Sequence, residues 1–215
     1  MSLKTPLEMF YQWEDTHPET VYLKQPIDGV IKDFTWRETG QQARKVAASL
    51  LAMDLPKGSH IAILSKNCAE WFIADLAIML AGHVSVPIYS TAGQKTIQYV
   101  LDHAKCPVIF VGKLDNTEQQ VAAIDDGVVK LAFPYPNIPA DKQWNELLQT
   151  SPLLEKPIPA LDSVMSIIYT SGSTGNPKGV VHNYESICWA ASNSLNELGV
   201  NQNDRVLSYL PLAHI

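Results

Sequence analysis

From Thr35 onward the apolar positions follow two alternating periodicities. Thr35 followed by Glu38 is a capping box, in which side chain and backbone reciprocally satisfy two orphan amides at a helix start. Behind it Ala43, Val46, Ala47, Leu50 and Leu51 recur at steps of three and four residues, which predicts an amphipathic helix with one apolar stripe. Ile61–Leu64 is a short continuous apolar run and predicts a buried strand. Residues 69–81 are apolar almost all round, the mark of a helix covered on most sides. The alternation continues with a strand at Val84–Tyr89, a helical stripe of Ile97, Val100, Leu101 and Ala104, and a strand at Val108–Val111. A helix at 115–125 and a strand at Val128–Phe133 complete it.

Strands and helices alternating at this spacing imply βαβ units, and hence an α/β fold with a mainly parallel sheet flanked by helices on both faces. Uninterrupted apolar strands agree, because parallel strands are covered on both sides. After Phe133 the pattern changes. Pro134, Pro136, Pro139, Pro152, Pro157 and Pro159 crowd around a short helical candidate at 141–149. Proline fixes φ and donates no ladder hydrogen bond, so 134–160 reads as a connector rather than core. The expected organisation is a βαβ-rich unit at 1–133, this connector, and a third segment at 161–215. That last segment holds a strand at Val164–Tyr169, a loop, the β-prone run Val180–His182, and a helix capped by Asn183. The helix carries a stripe of Ile187, Ala190, Ala191, Ser194, Leu195 and Leu198. A final strand is expected at Val206–Leu210. The chain stops just beyond it without a polar, frayed tail, the pattern of a piece of a longer protein.

Composition narrows the class. With 46% hydrophobic and 18% charged residues the chain is neither disordered nor fibrous. The net charge is −6 and the basic residues are scattered, so no footprint for nucleic acid is present. Cys68, Cys106 and Cys188 are far apart and odd in number, which fits a reducing compartment better than a disulfide or zinc framework. The most apolar stretch, Trp71–Gly82, contains Asp75 and is about half the ~20 residues that cross a bilayer. A soluble cytoplasmic protein is expected.

The chemistry concentrates in Thr170–Gly179, TSGSTGNPKG. Three glycines let successive backbone N–H groups converge on one point, the arrangement that binds phosphate oxygens. Thr170, Ser171, Ser173 and Thr174 add hydroxyls that could donate to phosphate or ligate Mg²⁺, and Lys178 adds a positive charge beside the rigid Pro177. Gly172 and Gly175 complete the candidate cradle. A Walker A loop requires Gly-Lys-Ser/Thr before a helix; here Asn176 and Pro177 separate Gly175 from Lys178 and a β-prone run follows. On composition alone, a plain surface loop is an equally good reading.

The longer string Tyr169–His182, YTSGSTGNPKGVVH, resembles position by position the phosphate-binding signature of the adenylate-forming (AMP-binding) superfamily. That group includes acyl-CoA synthetases, 4-coumarate–CoA ligases, luciferases and peptide-synthetase adenylation domains. Lys57–Ile88, Tyr89–Thr91, Gln98–Val111 and the closing Tyr209–Ile215 are similar to the matching stretches of long-chain fatty-acid–CoA ligases. The resemblance runs over essentially the whole chain from about Thr35.

The resemblance implies a two-step reaction. A fatty-acid carboxylate attacks the α-phosphate of ATP, giving acyl-AMP and pyrophosphate; the thiol of coenzyme A then displaces AMP. Ser171–Gly175 would cradle the β- and γ-phosphates with Lys178 beside them, Thr170 would offer a hydroxyl to Mg²⁺, and His214 would lie near the acyl and adenylate groups. Lys178 and His214 are the candidate catalytic residues. The family's adenine-binding Tyr-Gly-x-Thr-Glu segment, ribose-binding Asp and lysine-bearing C-terminal domain have no counterpart in these residues, so adenylation by this chain alone is not expected. Self-association through uncovered apolar surface is. The resemblance also admits peripheral contact with the inner face of a membrane, although no strongly basic amphipathic helix is present. Other readings are another acyl- or aryl-CoA ligase, an acyl-AMP ligase, or a non-catalytic nucleotide-binding protein. His17, His60, His83, His103 and His182 read as structural or solvated, the tryptophans as core or rim, and Cys188 as a small buried apolar residue.

Overall fold

A computed structural model describes residues 3–170 and 175–214. The chain opens with α1 (Pro6–Thr16), whose cap is Thr5 and Glu8 in a reciprocal capping box. A hairpin follows, β1 (Val21–Ile27) and β2 (Val30–Thr35). Asp28 and Gly29, both at positive φ (48° and 80°), form its two-residue turn. Turns of this hand match the twist of the strands they join.

The alternating part runs α2 (Trp36–Leu51), β3 (His60–Leu64), α3 (Ala69–Leu80), β4 (Val84–Ile88), α4 (Gln94–Ala104) and β5 (Val108–Val111). It continues with α5 (Thr117–Val121), β6 (Val129–Ala132), β7 (Lys142–Gln143) and α6 (Trp144–Leu147). Then come β8 (Val164–Thr170), β9 (Lys178–Asn183) and α7 (Tyr184–Leu198). Seven strands form one sheet in the order β7-β6-β5-β3-β4-β8-β9, parallel throughout except where β9 returns antiparallel to β8. The α/β class read from the sequence is thus the observed one.

Each face of the sheet carries its own core. On one, α1, α2 and α3 bury Leu7, Phe10, Val46, Leu50, Ile73 and Ile78 against Ile61, Ile63 and Phe110. On the other, α4 buries Ile97, Val100 and Leu101 against Leu64, Val86 and Ile109. The capping box of α2 forms as expected, with Glu38 N–H donating to Thr35 Oγ1 and Thr35 N–H to Glu38 Oε2.

Two expectations need correction. The proline-rich stretch is not all outside the core: Trp144 and Leu147 are buried beneath Phe110 and Phe133, because the prolines flank β7 and α6 rather than interrupt them. Val206–Leu210 forms no strand. Its apolar residues are exposed, and no neighbouring strand supplies a ladder among the described residues. The stripe of α7 is largely uncovered as well; only Tyr184 and Cys188 are buried, while Leu195, Leu198 and Trp189 face outward.

Candidate functional site

In open parallel sheets ligands bind at the carboxyl ends of the strands, where neighbouring strands send their connections to opposite faces. Here that place lies between β3, whose chain turns to α3 on one face, and β4, whose chain turns to α4 on the other. The loops 65–68 and 89–93 border it. Beside them β8 ends at the same edge of the sheet. The register fixed by Ser85 and Ser166, continued along the strands, brings Tyr89 level with Thr170.

The phosphate-loop candidates sit at this edge. Thr170 closes β8 and Lys178 opens β9, and the two are register partners on either side of the loop. Both are exposed, and Lys178 makes no ion pair among the described residues. Gly175 holds φ at +109°, a conformation that side-chain-bearing residues rarely adopt. Ser171, Gly172, Ser173 and Thr174 lie outside the described residues. An exposed hydroxyl at Thr170 is a hard oxygen donor suited to Mg²⁺, which binds through one or two protein groups plus phosphate oxygens rather than in an all-protein cage. Among the described residues no cluster of three His, Cys, Asp or Glu could hold a metal by itself.

The base of this hairpin is fixed from below. Tyr169 is buried, and its hydroxyl is hydrogen-bonded to His103 Nδ1 at 2.7 Å; His103 in turn stacks on Tyr99. Burial pushes the Tyr169 phenol up to about 12, assisted by neighbouring Cys106 and Tyr99, so it stays neutral at physiological pH. Gly179, paired with Tyr169, lies so close to the ring that an added Cβ would come within 3.1 Å of Tyr169 Cζ. His103, read from the sequence as structural or solvated, has a structural role here, bracing the residue before the loop. No spacing rule links positions 66 residues apart, so only the fold brings them together.

His214 reaches the same edge from the chain's end. Its ring lies 6.1 Å from that of Tyr89, tilted by 41°. The segment carrying it is held by Asn67 in loop 65–68, which donates to Ser208 O, Ser208 Oγ and Leu210 O and accepts from Leu212 N–H. Next to the β4 loop is a polar cavity of about 210 Å³ lined by Ser90, Thr91, Gly93, Gln94, Asn116 and Gln120. Gln120 Nε2 shapes its wall by donating to the carbonyls of Ser90 and Ala92.

Comparison with known proteins fits this geometry. The profile described as AMP-binding enzyme matches residues 10–215. The chain belongs to the AMP-binding enzyme family. It is 30% identical over 223 residues to the long-chain-fatty-acid–CoA ligase FadD15 of Mycobacterium bovis, covering 96% of this chain and 36% of that protein. It is 31% identical to the human long-chain-fatty-acid–CoA ligase ACSBG2, with 81% of this chain and 28% of that protein covered. The chain therefore spans about a third of the length of these relatives and corresponds to an N-terminal part of the family domain.

Solved structures agree on the fold. One is a Rhodopseudomonas palustris protein described as a long-chain-fatty-acid CoA ligase, with a TM-score of 0.82 at 22% identity, covering 98% of this chain and 52% of that one. Another is the o-succinylbenzoate coenzyme A synthetase of Bacillus subtilis in complex with AMP, with a TM-score of 0.73 at 23% identity, covering 98% and 50%. No helix among the described residues is long and apolar enough to cross a membrane.

Proposed function

We propose that this chain carries the ATP-phosphate site of an AMP-forming long-chain fatty-acid–CoA ligase. The observation that carries the reading is the β8–β9 hairpin. It offers Thr170 and Lys178 as register partners flanking a glycine-rich loop at the carboxyl edge of a parallel sheet. The names of its relatives favour a long-chain fatty acid as the carboxylate substrate.

The chemical difficulty is electrostatic, since a carboxylate must attack the α-phosphorus of a polyanion. A carboxylate oxygen bonds to that phosphorus, the bridge to the β-phosphate breaks, and pyrophosphate leaves with the electron pair. The thiol of coenzyme A then attacks the acyl carbonyl and AMP departs. In this reading the loop 171–175 and Lys178 hold the β- and γ-phosphates and offset charge growing on the leaving pyrophosphate, the kind of preorganised stabilisation that dominates such reactions. Mg²⁺ would supply charge neutralisation on the phosphates, with the Thr170 hydroxyl as its protein ligand. His214 would face the acyl and adenylate moieties. We propose further that the chain alone does not complete adenylation, because the segments that hold adenine and ribose in the family lie outside its sequence.

Calorimetric titration of MgATP into the chain tests the reading. Binding is expected, and Lys178→Ala is expected to weaken it about 30-fold, since a hydrogen bond to a charged group contributes about 2 kcal/mol. A wild-type chain that binds no MgATP defeats the proposal. Fatty-acid-dependent ATP–pyrophosphate exchange by the same chain would show instead that it needs no further segment.

A further inference from the structure

We infer that Asn67 is a positioning residue, the latch that seats the His214 segment over the crevice between β3 and β4 and so shapes the acyl-adenylate end of the site. The inference rests on the reading of that site given above.

Residues 206–214 have no ladder partner among the described residues, and most of their side chains are exposed. Among the described residues, every side-chain hydrogen bond that ties them to the sheet comes from one carboxamide, beside the packing of Leu212 against the core. Asn67 Nδ2 donates to Leu210 O at 2.7 Å and is shared between Ser208 O at 3.0 Å and Ser208 Oγ at 2.9 Å; Oδ1 accepts from Leu212 N–H at 3.1 Å. Both polar atoms of the side chain are used on positions 141 to 145 residues downstream. This engagement seats Ala213 in a buried position and brings the His214 ring against Tyr89, the first residue after β4.

The latch is itself rigid. Ser65 Oγ accepts from Lys113 N–H and donates to Lys66 O, Lys66 N–H donates to Lys113 O, and Lys66 pairs with Asp115 across the loop. On the other side, Ala69 N–H donates to the Gln25 carboxamide. A side chain on a loop pinned from both ends can hold another segment to the tolerance that a binding site needs. Asparagine is required because the site asks for donors and an acceptor together. Aspartate has the same shape and no donor, and would turn an anion toward two carbonyl oxygens.

The experiment uses Asn67→Asp in the full chain, with Tyr89→Leu as an independent second variant. Backbone amide exchange and the His214 ring-proton resonances are recorded. Affinities are measured for palmitoyl sulfamoyladenosine, an unreactive acyl-adenylate mimic, and for Mg²⁺-pyrophosphate. Asn67→Asp is expected to speed exchange at the Leu212 amide at least tenfold. It should also move the His214 resonances toward those of an unpacked imidazole, as Tyr89→Leu does. Affinity for the mimic should fall about tenfold while pyrophosphate affinity and melting temperature hold. Unchanged exchange and resonances overturn the latch whatever the ligands do, and an equal loss of both affinities reduces Asn67 to a merely structural role. A wild-type chain that binds neither ligand defeats the reading of the site instead; the exchange and resonance data from the same samples then decide the docking by Asn67.

Discussion

At Gly179 one added carbon would sit 3.0 Å from Ile167 Cγ2 and 3.1 Å from Tyr169 Cζ, on the hairpin that flanks the glycine-rich loop. To accept it the Tyr169 ring must move, and the hydroxyl bound to His103 moves with it. Gly179→Ala is expected to destabilise the chain by about 1–3 kcal/mol, the usual cost of overpacking, and to weaken MgATP binding in parallel. Urea unfolding and titration read the two effects; a variant with wild-type values in both would show that the ring is free to yield. Asp75 sets a different balance. It lines an apolar groove with Phe10, Tyr22, Trp36 and Met79, and burial pushes its carboxyl from 3.8 up to about 6, the Ser85 hydroxyl opposing in part. The folded chain therefore binds this proton more tightly than the unfolded chain. Stability is lost as pH rises from about 4 through about 6, and above that range the charged form costs up to about 3 kcal/mol. Asp75→Asn should raise stability at pH 7.5 and flatten the slope between pH 4 and 6 in urea titrations. A wild-type curve with no fall across that window would show the carboxylate to be solvated.

Among elements, the junction of α1 and α2 is the most exacting. Glu14 receives both terminal nitrogens of Arg44, at 2.5 and 2.9 Å, with both side chains largely buried. The pair fits because residue 40 has no side chain: a Cβ there would lie 2.1 Å from Glu14 Oε1. Glu14→Ala leaves a guanidinium buried without its partner and is expected to cost about 3–5 kcal/mol in urea unfolding; a loss below about 1 kcal/mol would mean that water replaces the carboxylate. None of this was readable in the sequence, since Glu14 and Arg44 carry no local signal of each other. Elements with a local signal were readable. The stripes of α2 and α4, the Thr35–Glu38 box and the apolar runs of β3 and β5 each state their structure within a dozen residues. The first hairpin carries a local cue too, in Asp28-Gly29 between Ile27 and Val30, as does α1 in Thr5-x-x-Glu8. Val206–Leu210 misled for the opposite reason: β-propensity states a preference, and a strand also needs a partner edge. Thr170 and Lys178 were nominated by the motif, whereas the hydrogen bonds of His103 and Asn67 to residues far along the chain required the fold.

Over the whole molecule the two faces of the chain are unequal. Apart from the groove that Asp75 lines, α1–α3 are packed against the sheet, whereas β9, α7 and the following segment leave large apolar side chains exposed. Trp189, Leu198, Val206, Leu207 and Tyr209 are each between 63% and 85% exposed. Beside them β9 is the last strand of the sheet, with Val180 and Val181 exposed and its outer edge unpaired among the described residues. Exposed apolar side chains together with an open strand edge favour association. For a solution of this chain the available partner is a second copy, which brings an identical edge and identical apolar side chains. Sedimentation velocity is therefore expected to show an average mass that rises with concentration. Paired substitutions Val181→Lys and Leu207→Lys should return the chain to a monomer, since one charge interrupts the edge and the other the exposed apolar surface. Neither position touches Thr170 or Lys178 across the hairpin register, so MgATP affinity should survive the change. A wild-type chain that stays monomeric at every accessible concentration would show that these side chains are covered within the chain, and exposure of 206–210 to exchange would then be the quantity to re-measure.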